Sequence, residues 1–378
     1  MAVRPWMKTI RTRRPFVAAV SVGAFALAAF HSGCSSSTAP HKPTATEALV
    51  FTPTPTSTPV PTATATATAR GWAYVFGGDS GGNALTDCWG MRINNDGSVG
   101  PFVQGSPMPP AALPGGSVAG FASDGSTLYL AGGFDGFSFA QVLSSVYSAN
   151  TASGSISNWL TQTALPQTRY APVAFAGAGN LYVIGGSASA TIFQAPISGQ
   201  TVGAWNTVAP MPGTVDFAGI ATAGSTAYVV GGFHPSPNRS ASVWSATFST
   251  SGLSGWSQIS NMPVALDSMA VAVDGTMMYV VGGNDGNNYP GSSAVYSATI
   301  LSGGALSTWS SEPPLPERLG FLSAFAKSGT LYALGGWRNG INVQSGIYSA
   351  TRAGGSLSPW TTAGFYPYPI NDHGTVVF

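Results

Sequence analysis

The chain has 378 residues, of which 49 are Gly and 28 Pro, a content that excludes an all-helical protein. Charged residues make up 7% and apolar ones 44%, so the water-facing surface must be built from Ser, Thr, Asn, Gln and Gly, and four His with two Cys leave little for a metal cage or disulfide framework. The net charge of +1 hides a division: residues 1–70 hold seven Lys/Arg and one Glu, whereas residues 71–378 hold seven Lys/Arg and twelve Asp/Glu, an acidic body with no basic stripe for nucleic acid.

The first segment carries Arg4, Lys8, Arg11, Arg13 and Arg14 ahead of the apolar run FVAAVSVGAFALAAF. Fifteen residues at ~1.5 Å each do not cross a hydrocarbon core of ~30 Å, so residues 1–33 read as an export signal. TRRPFV from Thr12 also resembles a twin-arginine signal. Ser32-Gly33-Cys34 resembles the lipobox of bacterial lipoproteins, which makes Cys34 the lipidation candidate and a membrane lipid anchor a partner; His31 departs from that pattern. The alternative is cleavage at Ala26-Leu27-Ala28. Residues 34–70, with TPTPTSTPVPTATATATA from Thr52, contain nothing that forms a core and favour extended polyproline II, a stalk of ~3.1 Å per residue. The expected location is therefore exported, lipid-anchored at the cell envelope or secreted.

Beyond the stalk the sequence repeats. AYVFGG, LYLAGG, LYVIGG, AYVVGG, MYVVGG and LYALGG place their first glycines at Gly77, Gly132, Gly185, Gly231, Gly282 and Gly335. A spacing near 50 marks stacked supersecondary units. Trp159, Trp205, Trp256 and Trp309 keep one offset to the next Gly-Gly. Within a unit, an apolar run such as Leu181–Ile184 predicts a strand covered on both faces. Segments such as Val243-Trp244-Ser245-Ala246, the stretch around Trp256, and Ser268–Val273 before the Asp274-Gly275 turn predict three more strands. Four antiparallel strands, six times over, predict an all-β fold: a six-bladed β-propeller of four-stranded blades over 71–378. Asp372–Phe378 matches the first strand of a unit, and the first unit lacks one, so the C-terminal strand is expected to complete blade 1 and remove open edges.

These residues resemble the kelch family, whose repeats join an apolar run and Gly-Gly to a Tyr and a Trp; Phe102 stands here at the first Trp, and Phe193 and Trp244 at Tyr positions. The resemblance implies one of several roles: protein binding, sialic-acid mutarotation or galactose-oxidase chemistry. The copper chemistry of the last is not expected, because the body offers only His234, His373 and Cys88 and no matching motif.

In a propeller the loops after Gly-Gly and the loops leading into the inner strands share one face. That face gathers Phe134, Phe233, His234, Trp337 and Arg338 from the first set and Arg169, Tyr170, Asp216, Asp267, Arg318, Asp372 and His373 from the second. Aromatic faces beside carboxylates and guanidiniums are what sugar or peptide recognition requires. The bland alternative is that the aspartates cap turns and the arginines pair with them. The expected function is a binding module for a glycan or protein ligand, monomeric and without metal or cofactor. The alternative is a sugar mutarotase or epimerase of the sialic-acid mutarotase type, with an acid and base from Asp216, Asp267 or His373 and a carboxylate held by Arg169 or Arg318.

Overall fold

The computed structural model describes residues 71–81, 84–109, 118–134, 141–234, 238–286, 291–338 and 342–378. The expected signal at 1–33, Cys34 and the stalk at 34–70 lie outside them.

Six antiparallel sheets follow one another along the chain, each with its inner strand (A) leading to an outer strand (D). Blade 2 illustrates the order: Gly120–Ser123, Thr127–Ala131, Val146–Ala152 and Ser155–Thr161. The inner strands of blades 3 to 6 are Val173–Gly177, Gly219–Ala223, Ala270–Asp274 and Ser323–Lys327. Blade 1 opens with Gly71–Phe76 as its B strand, and its inner strand is the C-terminal Gly374–Val377, paired Ala73↔Val377 to Phe76↔Gly374. Each inner strand touches the inner strands on both sides, including Gly374–Val377 against blades 6 and 2, so the ring is closed. A strand from the far end of the chain thereby removes the open edges that would otherwise seed aggregation.

The repeat's residues are spent on the contacts between blades. Six apolar cores lie one at each blade interface; that between blades 3 and 4, for example, joins Tyr182 and Ile184 to Ala227, Val229 and Phe248. The Tyr of the B strand reaches the C–D turn of the next blade: Tyr129 and Tyr228 donate to the carbonyls of Gly199 (3.1 Å) and Gly304 (3.0 Å), and Tyr74 accepts from the Gly154 amide (3.2 Å). The Trp indole reaches back, donating from Trp159 to the Ser106 carbonyl (3.0 Å), from Trp205 to Thr163 (2.8 Å), from Trp309 to Ser260 Oγ (3.1 Å) and from Trp360 to Pro313 (2.9 Å). Phe102 replaces the indole in blade 1 and packs edge-on to Tyr366, with centroids 5.8 Å apart.

Gly-Gly is explained at Gly185 and Gly186, with φ of +65° and +80°. A Cβ on Gly185 would stand 2.4 Å from Val215 of blade 4, and one on Gly186 2.9 Å from the Tyr170 carbonyl of its own blade. The Gly186 amide then donates to the Val215 carbonyl at 2.8 Å, a bond repeated from Gly133 to Arg169, Gly232 to Leu266, Gly283 to Leu319 and Gly336 to Ile370. Only a residue without a side chain lets the strand end approach both neighbours this closely.

Candidate functional site at the channel mouth

In blades 1, 3, 4, 5 and 6 the residue after Gly-Gly bonds to the loop that enters the same blade's inner strand. Asp216 and Phe233 exchange two backbone bonds (3.2 and 2.9 Å), as do Asp267 with Asn284, Gly320 with Trp337, and Asn371 with Asp79. These pairs set both groups of loops at one end of the central channel. One step further in, Val118, Ala171, Phe217, Ser268, Phe321 and Asp372 occupy equivalent positions, all at φ between +52° and +58°. Non-glycine residues rarely adopt this conformation, and each instance carries strain of about 1 kcal/mol or more. The compensation is a hoop of backbone bonds from blade to blade: Ala171 N–H to the Val118 carbonyl (3.0 Å), Phe217 to Ala171 (3.2 Å), Ser268 to Phe217, Phe321 to Ser268 and Asp372 to Phe321 (2.9 Å each).

The hoop and the inner strands enclose a cavity of about 490 Å³, within the size range of small-molecule sites. Its walls are mostly Ala, Val, Phe, Ser and Thr. Around its rim runs an arc of aromatic rings in mutual contact. Phe134 lies 4.2 Å from Tyr170, Tyr170 lies 5.1 Å from Phe217, and Phe217 meets Phe233 at 5.9 Å and Phe321 at 6.1 Å, each of the last three edge to face. Trp337 extends the arc 6.2 Å from Phe321.

Asp372 is half-buried in the cavity wall, three blades across the ring from Phe217. Burial, then the charge of Asp79, pushes its carboxyl up to about 8, against the opposing hydrogen bond from Asn371 Nδ2 (2.9 Å). His373 is buried beside it, and burial pushes its imidazole down to about 3, leaving the ring neutral. Its Nε2 shares a hydrogen bond with Ser323 Oγ (2.7 Å), which is also bonded to Thr375 Oγ1 (2.7 Å).

The remaining sequence-selected residues divide between the rim and its support. Asp267 is 2% exposed; Arg239 pairs with it, and Ser268 Oγ (2.8 Å) and Asn284 Nδ2 (3.1 Å) donate to it. Asp216 accepts the Ala188 amide at 3.0 and 3.1 Å. Arg169, 3% exposed, occupies the position filled elsewhere by Val215, Leu266, Leu319 and Ile370. Its guanidinium stacks on Phe193 (4.7 Å) and donates to the Thr168 carbonyl and Gln167 Oε1, both at 3.0 Å. Burial lowers its pKa, opposed by the charge of Asp216. Arg318 donates from Nε to the Gly291 carbonyl (3.1 Å), and Arg338 pairs with Glu317 (3.1 Å). His234 Nδ1 donates to the Thr214 carbonyl (3.0 Å), and its pKa is lowered by burial against that bond. Cys88 is buried at the start of a strand, and burial pushes its thiol up to about 12. Phe217 and Phe321 are the additions that the structure makes, whereas Asp79 follows Gly-Gly and is legible in the sequence. The signal for the two Phe was their shared offset from the inner strands, legible only once all six units are superimposed.

The fold defines the class: a six-bladed β-propeller with a ligand-sized cavity along its central channel. No protein-family model matches the chain, and no curated protein does. Among solved structures, the one described as "Structure of YjhT" is similar, with 15% sequence identity, a TM-score of 0.58, and coverage of 77% of this chain and 97% of that one. At this identity the likeness is one of fold.

Proposed function

We propose that the protein interconverts the anomers of a sugar bound at the channel mouth, a mutarotase or epimerase of the sialic-acid mutarotase type. The observation that carries this reading is Asp372, a carboxyl group held protonated near neutral pH in the wall of a channel cavity large enough for a sugar. Opening a pyranose ring needs a proton delivered to the ring oxygen while another leaves the anomeric hydroxyl. The C–O ring bond then breaks to give the carbonyl form, and reclosure on the other face returns both protons. Asp372 supplies the first proton. Asp79, whose charge already acts on Asp372, is the carboxylate assigned to accept the second. A protonated carboxyl in the field of a second carboxylate is the pairing such chemistry requires. The aromatic rings Phe217 and Phe321 offer faces for the apolar side of the sugar.

The test is NMR anomer exchange on a panel of free monosaccharides, sialic acid included. Acceleration of at least one sugar is expected, with a loss of about 100-fold in Asp372→Asn. A sugar that binds but exchanges at the rate of buffer would leave a glycan-binding module, the reading that the aromatic arc favours by itself.

The export signal and stalk belong to the same proposal, placing the propeller outside the cell. Cys34→Ala is expected to move the protein from membranes to the soluble fraction. A native protein already soluble, with its mature N-terminus elsewhere than at Cys34, would refute the anchor.

A further inference from the structure

A chain of three hydrogen-bonding side chains crosses the seam where the C-terminal strand closes the ring. His373 Nε2 is bonded to Ser323 Oγ (2.7 Å), and Ser323 Oγ to Thr375 Oγ1 (2.7 Å). Ser323 comes from the inner strand of blade 6 and Thr375 from that of blade 1. His373 and Ser323 are buried, Thr375 is half-buried, and all three line the channel cavity. Neither the proton transfers assigned to Asp372 and Asp79 nor the aromatic stacking uses any of them.

His373 sets the direction of the chain. Burial keeps its imidazole neutral, so the ring carries a single N–H. Nδ1 is buried without a hydrogen-bond partner among the described residues. A proton on Nδ1 would be a donor sealed away from any acceptor, which proteins tolerate less often than an acceptor left unfilled. The proton therefore sits on Nε2, and His373 donates to Ser323 Oγ. The Ser323 hydroxyl donates in turn to Thr375 Oγ1, its other partner in the chain. This leaves the Thr375 hydroxyl proton with no acceptor among the described residues, beside a cavity from which a ligand oxygen can reach it. Each donor polarises the next and holds it in place, so Thr375 presents an oriented donor before any ligand arrives.

Its position decides what it reads. Thr375 lies three residues past Asp372 on the segment that becomes the inner strand of blade 1, at most about 10 Å away at about 3.3 Å per residue. A pyranose with its ring oxygen and anomeric carbon at Asp372 turns the opposite bond of its ring, C3 to C4, away from the rim and toward the depth where Thr375 stands.

We infer that Thr375 is a specificity residue of this sugar site, donating to the C3 or C4 hydroxyl oxygen of the pyranose through a chain oriented by His373 and Ser323. The inference rests on the sugar reading given above. His373 and Ser323 act through Thr375 and are positioning residues.

The experiment titrates glucose, galactose, mannose and their monodeoxy analogues at C2, C3, C4 and C6 onto the unaltered protein, Thr375→Val and Thr375→Ser, with anomer exchange followed in the same samples. For at least one parent sugar, Thr375→Val is expected to weaken binding about tenfold, and loss of the C3 or C4 hydroxyl to do the same. The two changes together should cost no more than either alone, because they remove one hydrogen bond from its two ends. Thr375→Ser keeps the hydroxyl and should bind within a few-fold of the unaltered protein. A role confined to the seam would weaken every analogue alike; that outcome, or coupling to the C2 or C6 hydroxyl instead, overturns the inference. The ring-nitrogen chemical shifts of His373 in the unaltered, nitrogen-labelled protein read the tautomer without any substitution. A proton on Nε2 is expected, and one on Nδ1 reverses the chain and overturns the inference. Coupling to C3 or C4 without accelerated exchange would sustain the inference and overturn the mutarotase reading. Accelerated exchange with every affinity unchanged in Thr375→Val would do the reverse, and if no sugar binds, both fall.

Discussion

Tyr182 and Trp256 face one another's blades across the interface between blades 3 and 4, and neither the hydroxyl nor the indole N–H has a partner among the described residues. At four of the other interfaces the equivalent pair is bonded across, Arg352 Nη1 to Tyr279 at 3.2 Å completing the set at blades 5 and 6. This junction is therefore held by its apolar core alone at the two positions where the repeat supplies polar clamps.

The energetic contrast is measurable. Tyr228→Phe removes a hydrogen bond and leaves the Gly304 carbonyl without it, at a cost of about 1 kcal/mol. Tyr182→Phe should cost nothing or raise stability, since it removes a buried unpaired hydroxyl. Urea midpoints of the two variants check this; equal losses would show that Tyr182 has a partner in solution.

Gly185→Ala and Gly224→Ala both impose a side chain on positive φ, +65° and +56° respectively. At Gly224 nothing lies within 4 Å, so the cost is strain of about 1 kcal/mol, whereas Gly185 also meets Val215 at 2.4 Å. The Gly185 variant should unfold at markedly lower denaturant. Equal midpoints would mean that the blade contact yields freely.

Deleting Asp372–Phe378 strips the inner strand from blade 1 and the Phe378 ring from its place 5.3 Å from Tyr74. Burial of apolar side chains contributes about 1.5 to 3 kcal/mol each, so the loss rivals a typical total stability of about 5 to 15. The expected outcome is early melting or aggregation in a light-scattering thermal scan. A truncated chain that melts with the full one would show closure by other means.

Much of the architecture was legible because Gly-Gly, Tyr and Trp each make a contact between blades, and contacts repeated at every interface leave a periodic trace. The mouth was legible only as a set of loops. Arg169 and Arg318 read alike in sequence, one step apart in register, yet one is buried in a blade interface and the other sits half-buried over the Gly291 carbonyl. Direction of that kind is set by what the neighbouring blade offers, here the face of Phe193, and no local pattern encodes it.

The raised carboxyl of Asp372 has a pH signature. Its folded pKa lies near 8 against an ordinary value of 3.8, so the folded state holds a proton that the unfolded chain releases, and the stability it contributes is lost as pH rises from about 4 to 8. Asp372→Asn keeps the neutral form at every pH. Its melting temperature should exceed that of the unaltered protein at pH 9 and converge with it at pH 4. Parallel profiles would mean that Asp372 titrates normally.

The hoop that links the six rim residues decides how this cavity can diversify. Five of its carbonyls are committed to the amide of the next blade, so the main chain contributes little to reading a ligand, and the side chains at 118, 171, 217, 268, 321 and 372 carry that burden. Each already tolerates the unusual backbone angle with a side chain in place. The mouth thus behaves as a six-letter lock, spelled Val, Ala, Phe, Ser, Phe, Asp, in which a letter can be exchanged while the ring that holds it stays the same.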